Sequence, residues 1–364
     1  MILHRYFARR FTWMFLSILG VFALFLGLLD LVEQLRRFGD SASFGQVVWV
    51  TLLKLPEGIY EILPLVMILA TAALFLVLAR SSELVVVRAA GRSGLAALGG
   101  PVAVALVVSG LTVAMLNPLV AATSKRASDL TESYQSDGAS VVSIGREGLW
   151  LRQGGEDGQV VIHADRANPD ATILYDTSFL AYAPDAGPER RIVAAEARLD
   201  SGNWVLTDAV EWTLRSGANP GDTAQRHGEL RLPSPLTQDD IRDRFGQPSA
   251  VAIWDLPAYI ASLEEAGFSA RRHIVWFQME LARPVFLVAM VLVAAGFTMR
   301  PARLGRTGLY VLGAVLMGFG LYYVRNFAQI MGENGQLPPV LAAWIPPVAS
   351  LLLALGLVLQ MEDG

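Results

Sequence analysis

The chain contains no cysteine. Disulfides, thiol catalysis, iron–sulfur clusters and cysteine-ligated zinc are therefore excluded, although the absence says little about compartment. Charge is scarce: 17% of the 364 residues are Asp, Glu, Lys or Arg, where soluble domains carry about 25%. Lysine is nearly missing, with only Lys54 and Lys125 among 29 basic residues. Neither is followed by Ser or Thr, so the chain has no Walker-type phosphate loop and no standard P-loop ATPase site. The four histidines (His4, His163, His227 and His273) have no metal-ligand spacing and are expected at the surface. There is no Gly-x-Ser-x-Gly elbow. Ser17, Ser109 and Ser350 lie in apolar runs with no histidine to activate them and read as helix-packing residues. No repeat of fixed period occurs. The formal net charge of −4 offers no basic excess for a nucleic acid. Catalysis by this chain is not expected.

What is present is apolar sequence: 53% of residues are hydrophobic and the mean hydropathy is +0.44. That leaves too little polar sequence for a soluble surface and rules out disorder. A spanning helix needs about 20 apolar residues. Six runs meet this: Phe11–Leu29, Ile62–Ala79, one between Ser93 and Ser124, Pro284–Met299, Thr307–Val324, and one within Gly335–Gln360 from about Val340 onward. The fourth is short unless extended back over Leu281 and Ala282. The basic N-terminus and first run resemble a secretory signal. The run is too long, however, and Asp-Leu-Val-Glu-Gln stands where a small-residue cleavage site would be, so a retained anchor is expected. Basic residues in short loops fix orientation. Arg5, Arg9, Arg10, Arg80, Arg88, Arg92, Arg300, Arg303 and Arg306 fall on one side, against Arg36, Arg37, Lys54 and Arg325 on the other. Both termini are then expected in the cytoplasm and the segment after the third span outside it.

That segment, residues 125–273, holds 23 of the 33 acidic and 15 of the 29 basic side chains. Runs such as Gly-Gln-Val-Val-Ile-His-Ala and Asn-Trp-Val-Leu-Thr-Asp-Ala-Val-Glu-Trp-Thr-Leu are rich in β-branched and aromatic residues. Turn clusters at 154–158, 168–170, 184–188, 201–203 and 216–222 separate them. An all-β insert, a sandwich or a jelly roll, is expected, although the alternation is only partial. Pro257 to Ala266 reads as a helix leading back to the fourth span.

Three groups of polar residues invite a function. After the first span, Leu31-Val-Glu-Gln-Leu-Arg-Arg-Phe places Glu33, Arg36 and Arg37 within a helical turn of the outer interface. Adjacent guanidiniums there can grip phosphates bidentately, or can simply snorkel. Between the second and third spans, Arg80-Ser-Ser-Glu-Leu-Val-Val-Val-Arg-Ala-Ala-Gly-Arg reads as a short, mostly apolar helix, capped by Ser81 or Ser82 and ended by Gly91. Such a helix either docks a partner or lies on lipid. Finally, Glu57, Glu61, Glu280, Arg283 and Arg325 fall at or near membrane depth. Glu280 and Arg283, three apart, are expected to pair on one helix face.

Several of these pieces resemble the lipopolysaccharide-export permease family (LptF/LptG). They are His-Arg-Tyr-Phe at 4–7, Val-Glu-Gln-Leu-Arg-Arg-Phe-Gly at 32–39, Ser-Glu-Leu-Val-Val-Val-Arg-Ala-Ala-Gly at 82–91, Gly-Leu-Trp at 148–150, and the Leu-Pro-Pro and Ile-Pro-Pro runs at 337–339 and 345–347. The resemblance covers essentially the whole chain, and its wording is closer to the LptG branch. The 82–91 piece is the most specific. The chain departs from the pattern in having Arg-Arg at 36–37, where lysines also occur in the family, and in an extra serine between Arg80 and Glu83.

The resemblance implies six transmembrane helices in a 3+3 arrangement with an extracytoplasmic β-jellyroll between them. Residues 1–124 would hold the first three helices, with a cytoplasmic coupling helix at about 81–92. Residues 125–273 would form the periplasmic domain and 274–364 the last three helices. The chain would be a non-catalytic permease subunit in the bacterial inner membrane. It would extract lipopolysaccharide from the outer leaflet and pass it to a periplasmic bridge. Implied partners are an LptF-type sister permease, an LptB-type ATPase dimer that binds the ATP and Mg, an LptC-type single-span protein, and an LptA-type bridge reached through LptC or the sister domain. No cofactor is implied for this chain. Glu83, Leu84, Val87 and Arg88 would meet the ATPase. Arg36 and Arg37 would meet lipopolysaccharide phosphates, and apolar walls from the first, second and fifth spans would meet acyl chains. Other readings are the sister permease itself, an ion-coupled transporter titrating at Glu57, Glu61 or Glu280, and a non-transporting scaffold.

Overall fold

A computed structural model describes residues 2–39, 42–89, 93–135, 142–145, 148–155, 158–167, 173–183, 187–200, 202–214, 224–234, 248–265, 269–299 and 307–363. The chain divides into two compact units. One comprises residues 1–131, 252–254 and 271–364; the other comprises 132–251 and 255–270.

The first unit is helical. It contains α1 (Ile2–Phe38), α2 (Phe44–Arg80), the short α3 (Glu83–Ala89), α4 (Gly94–Leu111) and most of α5 (Asn117–Gln135). After the second unit come α7 (Arg271–Thr298), α8 (Thr307–Glu333) and α9 (Pro339–Asp363). One π turn, Thr112–Leu116, joins α4 to α5 into a single rod. Among the described residues, six helices are long and apolar enough to cross a membrane. Two run well beyond their apolar stretches. α2 has 37 residues, about 55 Å at 1.5 Å per residue. It begins before Lys54, Glu57 and Glu61, which hid its first half from a hydropathy reading. Likewise α7 starts at Arg271 rather than Pro284, because Glu280 and Arg283 neutralise each other within it.

α2 and α7 form the centre of this unit. Met67, Leu74, Phe75 and Leu78 of α2 and Phe286, Leu287, Met290 and Val291 of α7 are almost fully buried. α1 contributes one stripe, Phe7, Phe11 and Phe15, spaced four residues apart. Its other face is bare, with Trp13, Val21, Leu24, Phe25 and Val32 exposed, and α8 likewise exposes Leu309, Leu316, Tyr323 and Phe327. Lipid tails are as apolar as leucine, so helices in a bilayer associate through close packing and polar contacts. The packing is tight. A Cβ on Gly100 of α4 would lie 2.6 Å from the His4 carbonyl and 2.8 Å from the Ala8 nitrogen of α1. At the opposite end Arg271 donates to the carbonyls of Gly332 (2.8 Å) and Leu337 (2.9 Å), which closes the end of α8 and the turn into α9.

The second unit is one antiparallel sheet of seven strands: β1 (Val142–Gly145), β2 (Gly148–Gly155), β3 (Gly158–Ala167), β4 (Ile173–Ala183), β5 (Gly187–Asp200), β6 (Asn203–Thr213) and β7 (Gln225–Pro233). Each strand pairs with its neighbour in sequence, so the expected all-β insert is present as an up-and-down meander. The sheet curls. The side chain of Gln153 on β2 accepts from the Trp204 indole of β6 (3.3 Å) and from the Ser234 hydroxyl (2.9 Å), and donates to the Pro233 carbonyl (3.3 Å). Trp204, Phe179, Leu149, Leu151, Ile162 and Leu206 fill the concave face, each contributing about 1.5–3 kcal/mol against water. The helix α6 (Leu256–Glu265) also belongs to this unit.

The incomplete alternation in the sequence has a structural cause. On β5 the buried residues run Ile192, Ala194, then Ala197, Leu199; on β4 they run Leu174, then Thr177, Phe179; on β6, Trp204, Leu206, then Ala209. Each strand has one extra residue at the same level of the sheet. On β4 and β6 that residue is an aspartate with positive φ, Asp176 (53°) and Asp208 (52°). Aspartate tolerates this left-handed conformation better than most residues. The pairing register is the same on either side, because the neighbouring strands carry the extra residue together.

Two substitutions test this packing. Gly100→Ala is expected to destabilise the helical unit by about 1–3 kcal/mol, whereas Gly110→Ala, with no atom within 4 Å, leaves the thermal midpoint in detergent unchanged or raised. Asp208→Val is expected to cost about 1–2 kcal/mol through its left-handed backbone, and Asp208→Asn to cost little, in the same measurement.

Candidate functional site

Four places in the helical unit carry polar chemistry or an open surface. The first is the turn from α2 to α3. Ser82 has φ 60°, which swings α3 away from the axis of α2 and brings Glu83 back toward α1. Glu83 accepts hydrogen bonds from Arg10 at 2.8 Å, from the Tyr6 hydroxyl at 3.0 Å and from the Ser81 hydroxyl at 2.8 Å. Arg10 also donates to the Tyr6 hydroxyl. Burial alone would raise the pKa of Glu83, but the hydrogen bonds from Arg10, Ser81 and Tyr6 outweigh it and hold the carboxyl below its ordinary value. Val87 turns inward onto the helical core, while Val86 stays largely exposed. The side chains of Leu84 and Arg88 lie outside the described residues, as do Arg92, Arg300, Arg303 and Arg306 of the orientation argument.

The second is the far end of α1. Arg36 forms an exposed ion pair with Glu33 (2.9 Å), and Arg37 is exposed on the same turn. Beside them, α1 and α2 enclose a cavity of about 400 Å³ lined by Asp30, Glu33, Thr51, Lys54, Glu57 and Glu61. The Ser124 hydroxyl donates to Glu57 at 3.0 Å.

The third is a groove of about 430 Å³ between α1, α2 and α8. Ile18, Val21 and Phe22 form one wall, Leu69 and Leu76 another, and Val311 the third. Ser17 also lines it, but its hydroxyl is spent on the Trp13 carbonyl. Ser109 and Ser350 likewise bond the carbonyl four residues back in their own helices, as expected of packing residues.

The fourth is a buried polar cluster. The expected Glu280–Arg283 pair is present and bidentate, at 2.7 and 3.0 Å. Tyr60 of α2 donates to Glu280, and the Arg283 guanidinium lies over the Tyr60 ring at 3.8 Å. Asn117 donates to the Tyr60 oxygen (3.1 Å) while its own carbonyl accepts the Ile253 backbone N–H (2.8 Å). The π turn just before Asn117 sets this residue's azimuth on the rod, a placement typical of π turns near functional positions. Glu280 is thus committed to structure. Arg325, also buried, stands over Phe286 at 5.3 Å.

Sequence reasoning missed several of these residues. Arg10 entered only as an orientation signal and Tyr6 only within the His-Arg-Tyr-Phe piece, and Tyr60 and Asn117 did not enter at all, because their partners are 57–220 residues away. His273 corrects an expectation: it is 4% exposed on α7 rather than at the surface, since it faces inward on a helix whose start the hydropathy run did not reveal.

Comparison with known proteins supplies the frame for this geometry. The family model described as lipopolysaccharide export system permease LptF/LptG matches residues 5–360. The chain is 23% identical over 342 residues to the lipopolysaccharide export system permease protein LptG of Escherichia coli K12, covering 92% of this chain and 91% of that protein. It is 25% identical over 369 residues to the LptG of Haemophilus influenzae Rd, covering 95% and 97%. With six membrane-capable helices, an inserted β-sheet and a family match across nearly its whole length, the chain belongs to the LptF/LptG family of lipopolysaccharide export permeases.

Proposed function

We propose that this chain is the LptG-type half of a paired permease, embedded in the inner membrane with both termini cytoplasmic and the β unit periplasmic. It takes lipopolysaccharide laterally from the outer leaflet. Acyl chains lie in the apolar groove between α1, α2 and α8, and phosphates meet Arg36 and Arg37. The partner surfaces are the bare faces of α1 and α8, which suit an LptF-type sister permease and lipid. An LptB-type ATPase dimer, holding ATP and Mg, docks on α3 through Glu83, Leu84 and Arg88, while the inward-facing Val87 anchors α3 to the helical core. LptC-type and LptA-type proteins carry the lipid onward from the β unit.

One observation carries this reading. The Arg10–Tyr6–Glu83 clasp fastens α3 to α1, and α1 is also a wall of the apolar groove. A push on α3 therefore reaches the groove through a continuous helix. A ligand moves only when two states bind it differently. Groove closure removes apolar contact, and the Arg36–Glu33 pair is available to compete for the guanidinium as phosphate leaves.

The test separates docking from transmission. Arg10→Ala leaves the docking face of α3 in place but unfastens it, so the ATPase is expected to co-purify while export falls about tenfold, the loss of one charge-assisted interaction. Glu83→Lys is expected to abolish both. Full export by both variants would remove the coupling assignment. Because the Glu83 carboxyl titrates below its ordinary value of 4.5, the clasp contributes fully at neutral pH and is lost only as pH falls through that lowered value. The hydrogen-exchange protection factors across residues 83–89, corrected for the intrinsic rate at each pH, are expected to be equal at pH 7 and 5 in the native chain and lower at both in Glu83→Gln. At the other end, reversing Arg36 and Arg37 to Glu is expected to reduce photo-crosslinking to lipopolysaccharide several-fold; unchanged crosslinking removes the phosphate role.

A further inference from the structure

The buried polar cluster does not balance. Glu280 is 0% exposed and takes both hydrogen bonds of its bidentate pair from Arg283. Arg325 is 7% exposed and makes no ion pair or hydrogen bond among the described residues; its guanidinium stands over the Phe286 ring at 5.3 Å, and Glu280 attracts it only from beyond ion-pair distance. A buried guanidinium without an acceptor is expensive. Arg325 opens into a cavity of about 300 Å³ between α2, α7 and α8. The same cavity is lined by Trp276, whose indole N–H is buried and has no acceptor either. Glu61 stands at the rim, exposed, and is not paired with Arg325. Arg325 thus opens on the pocket without an acceptor, the unpaired Trp276 N–H is buried in the pocket wall, and the remaining walls include Pro64, Phe286 and Ile330.

Its depth in the bundle narrows the ligand. Tyr60 lies about 30 Å along α2 from Arg80, and Arg325 about 27 Å along α8 from Thr307, at 1.5 Å per residue. That is close to the full thickness of a hydrocarbon core, roughly 30 Å. The pocket is therefore at headgroup level, at the end of the helices away from α3. Next to it α8 exposes Tyr323, Val324, Phe327 and Ile330, an apolar track suited to an acyl chain whose headgroup reaches inward.

We propose that the pocket lined by Arg325 and Trp276 binds a phosphate group carried by a lipid, as a site separate from Arg36 and Arg37. The planar fork of Arg325 takes two phosphate oxygens and the Trp276 N–H a third. The inference rests on the reading of this chain as a handler of phosphate-bearing lipid.

The test uses the full-length chain in neutral phosphatidylcholine nanodiscs, with thermal stability and native mass spectrometry as readouts. Three probes are added separately: lipid A, phosphatidylglycerol and inorganic phosphate. Retention and stabilisation by lipid A or phosphatidylglycerol are expected, and their order identifies whether cargo or bilayer lipid is the source. Arg325→Ala is expected to weaken this binding about tenfold, as for the loss of a charge-assisted bidentate contact. Arg325→Lys is expected to restore part of it. Trp276→Phe, which removes only the N–H, is expected to weaken it about threefold and decides the matter if Arg325→Ala fails to fold. The Arg325→Ala comparison is repeated in an Arg36→Ala/Arg37→Ala background, where the lipid binding that remains is expected to be lost on adding Arg325→Ala. Wild-type binding by Arg325→Ala and Trp276→Phe overturns the inference; loss in the Arg36/Arg37 variant alone would then leave the export reading standing. Equal stabilisation by inorganic phosphate overturns the lipid assignment. No preference of the native chain for any phosphate-bearing lipid overturns both the site and the reading beneath it.

Discussion

Charge buried inside a protein costs several kcal/mol per ion unless it is answered there, and this constraint organises the helical unit. Glu280 and Arg283 meet that cost together on one helix, and Tyr60 and Asn117 complete their hydrogen bonds from two others. The pair therefore sets the rotation of α7 against α2 and of the α4–α5 rod against both. Deleting one partner would strand the other charge, which is a larger penalty than losing the pair. The centre of the bundle is thus rigid for polar reasons as well as through its close-packed apolar layers.

Around that rigid centre the surroundings differ. α1 and α8 bury little of their apolar surface within this chain, while α2 and α7 bury most of theirs. The groove that can take acyl chains lies where a central helix meets the two bare ones. Motion suited to moving a lipid is therefore a motion of α1 and α8 against a fixed α2–α7 core. The short α3 bears on this because its glutamate is fastened to α1 rather than to the centre.

Much of the plan was legible in the residues, and the reasons are specific. Uncharged runs near 20 residues mark spans. The Glu280–Arg283 pair could be read because its partners are three apart on one helix. The Arg10–Glu83 and Tyr60–Glu280 contacts could not, since nothing local in the sequence specifies which distant residue a buried carboxylate will meet. The true lengths of α2 and α7 were hidden by the charges they carry. On the sheet, Asp176 and Asp208 shift the buried set by one residue, so a strict two-residue pattern breaks where the strands do not. That Arg325 is buried and lines a cavity was likewise outside the reach of loop-charge counting.

The claim at the centre of this account is that energy enters through α3 and reaches the lipid groove by way of α1. The absence of native cysteine makes it directly measurable. Spin labels on single cysteines replacing Val21 of α1 and Leu316 of α8, both exposed, report the width of the groove in the reconstituted transporter. The account predicts that nucleotide binding by the ATPase shifts the label–label distance distribution, and that the shift disappears when Arg10 is replaced by Ala while the ATPase remains bound. A shift that persists without Arg10, or that occurs with no ATPase present, would contradict it.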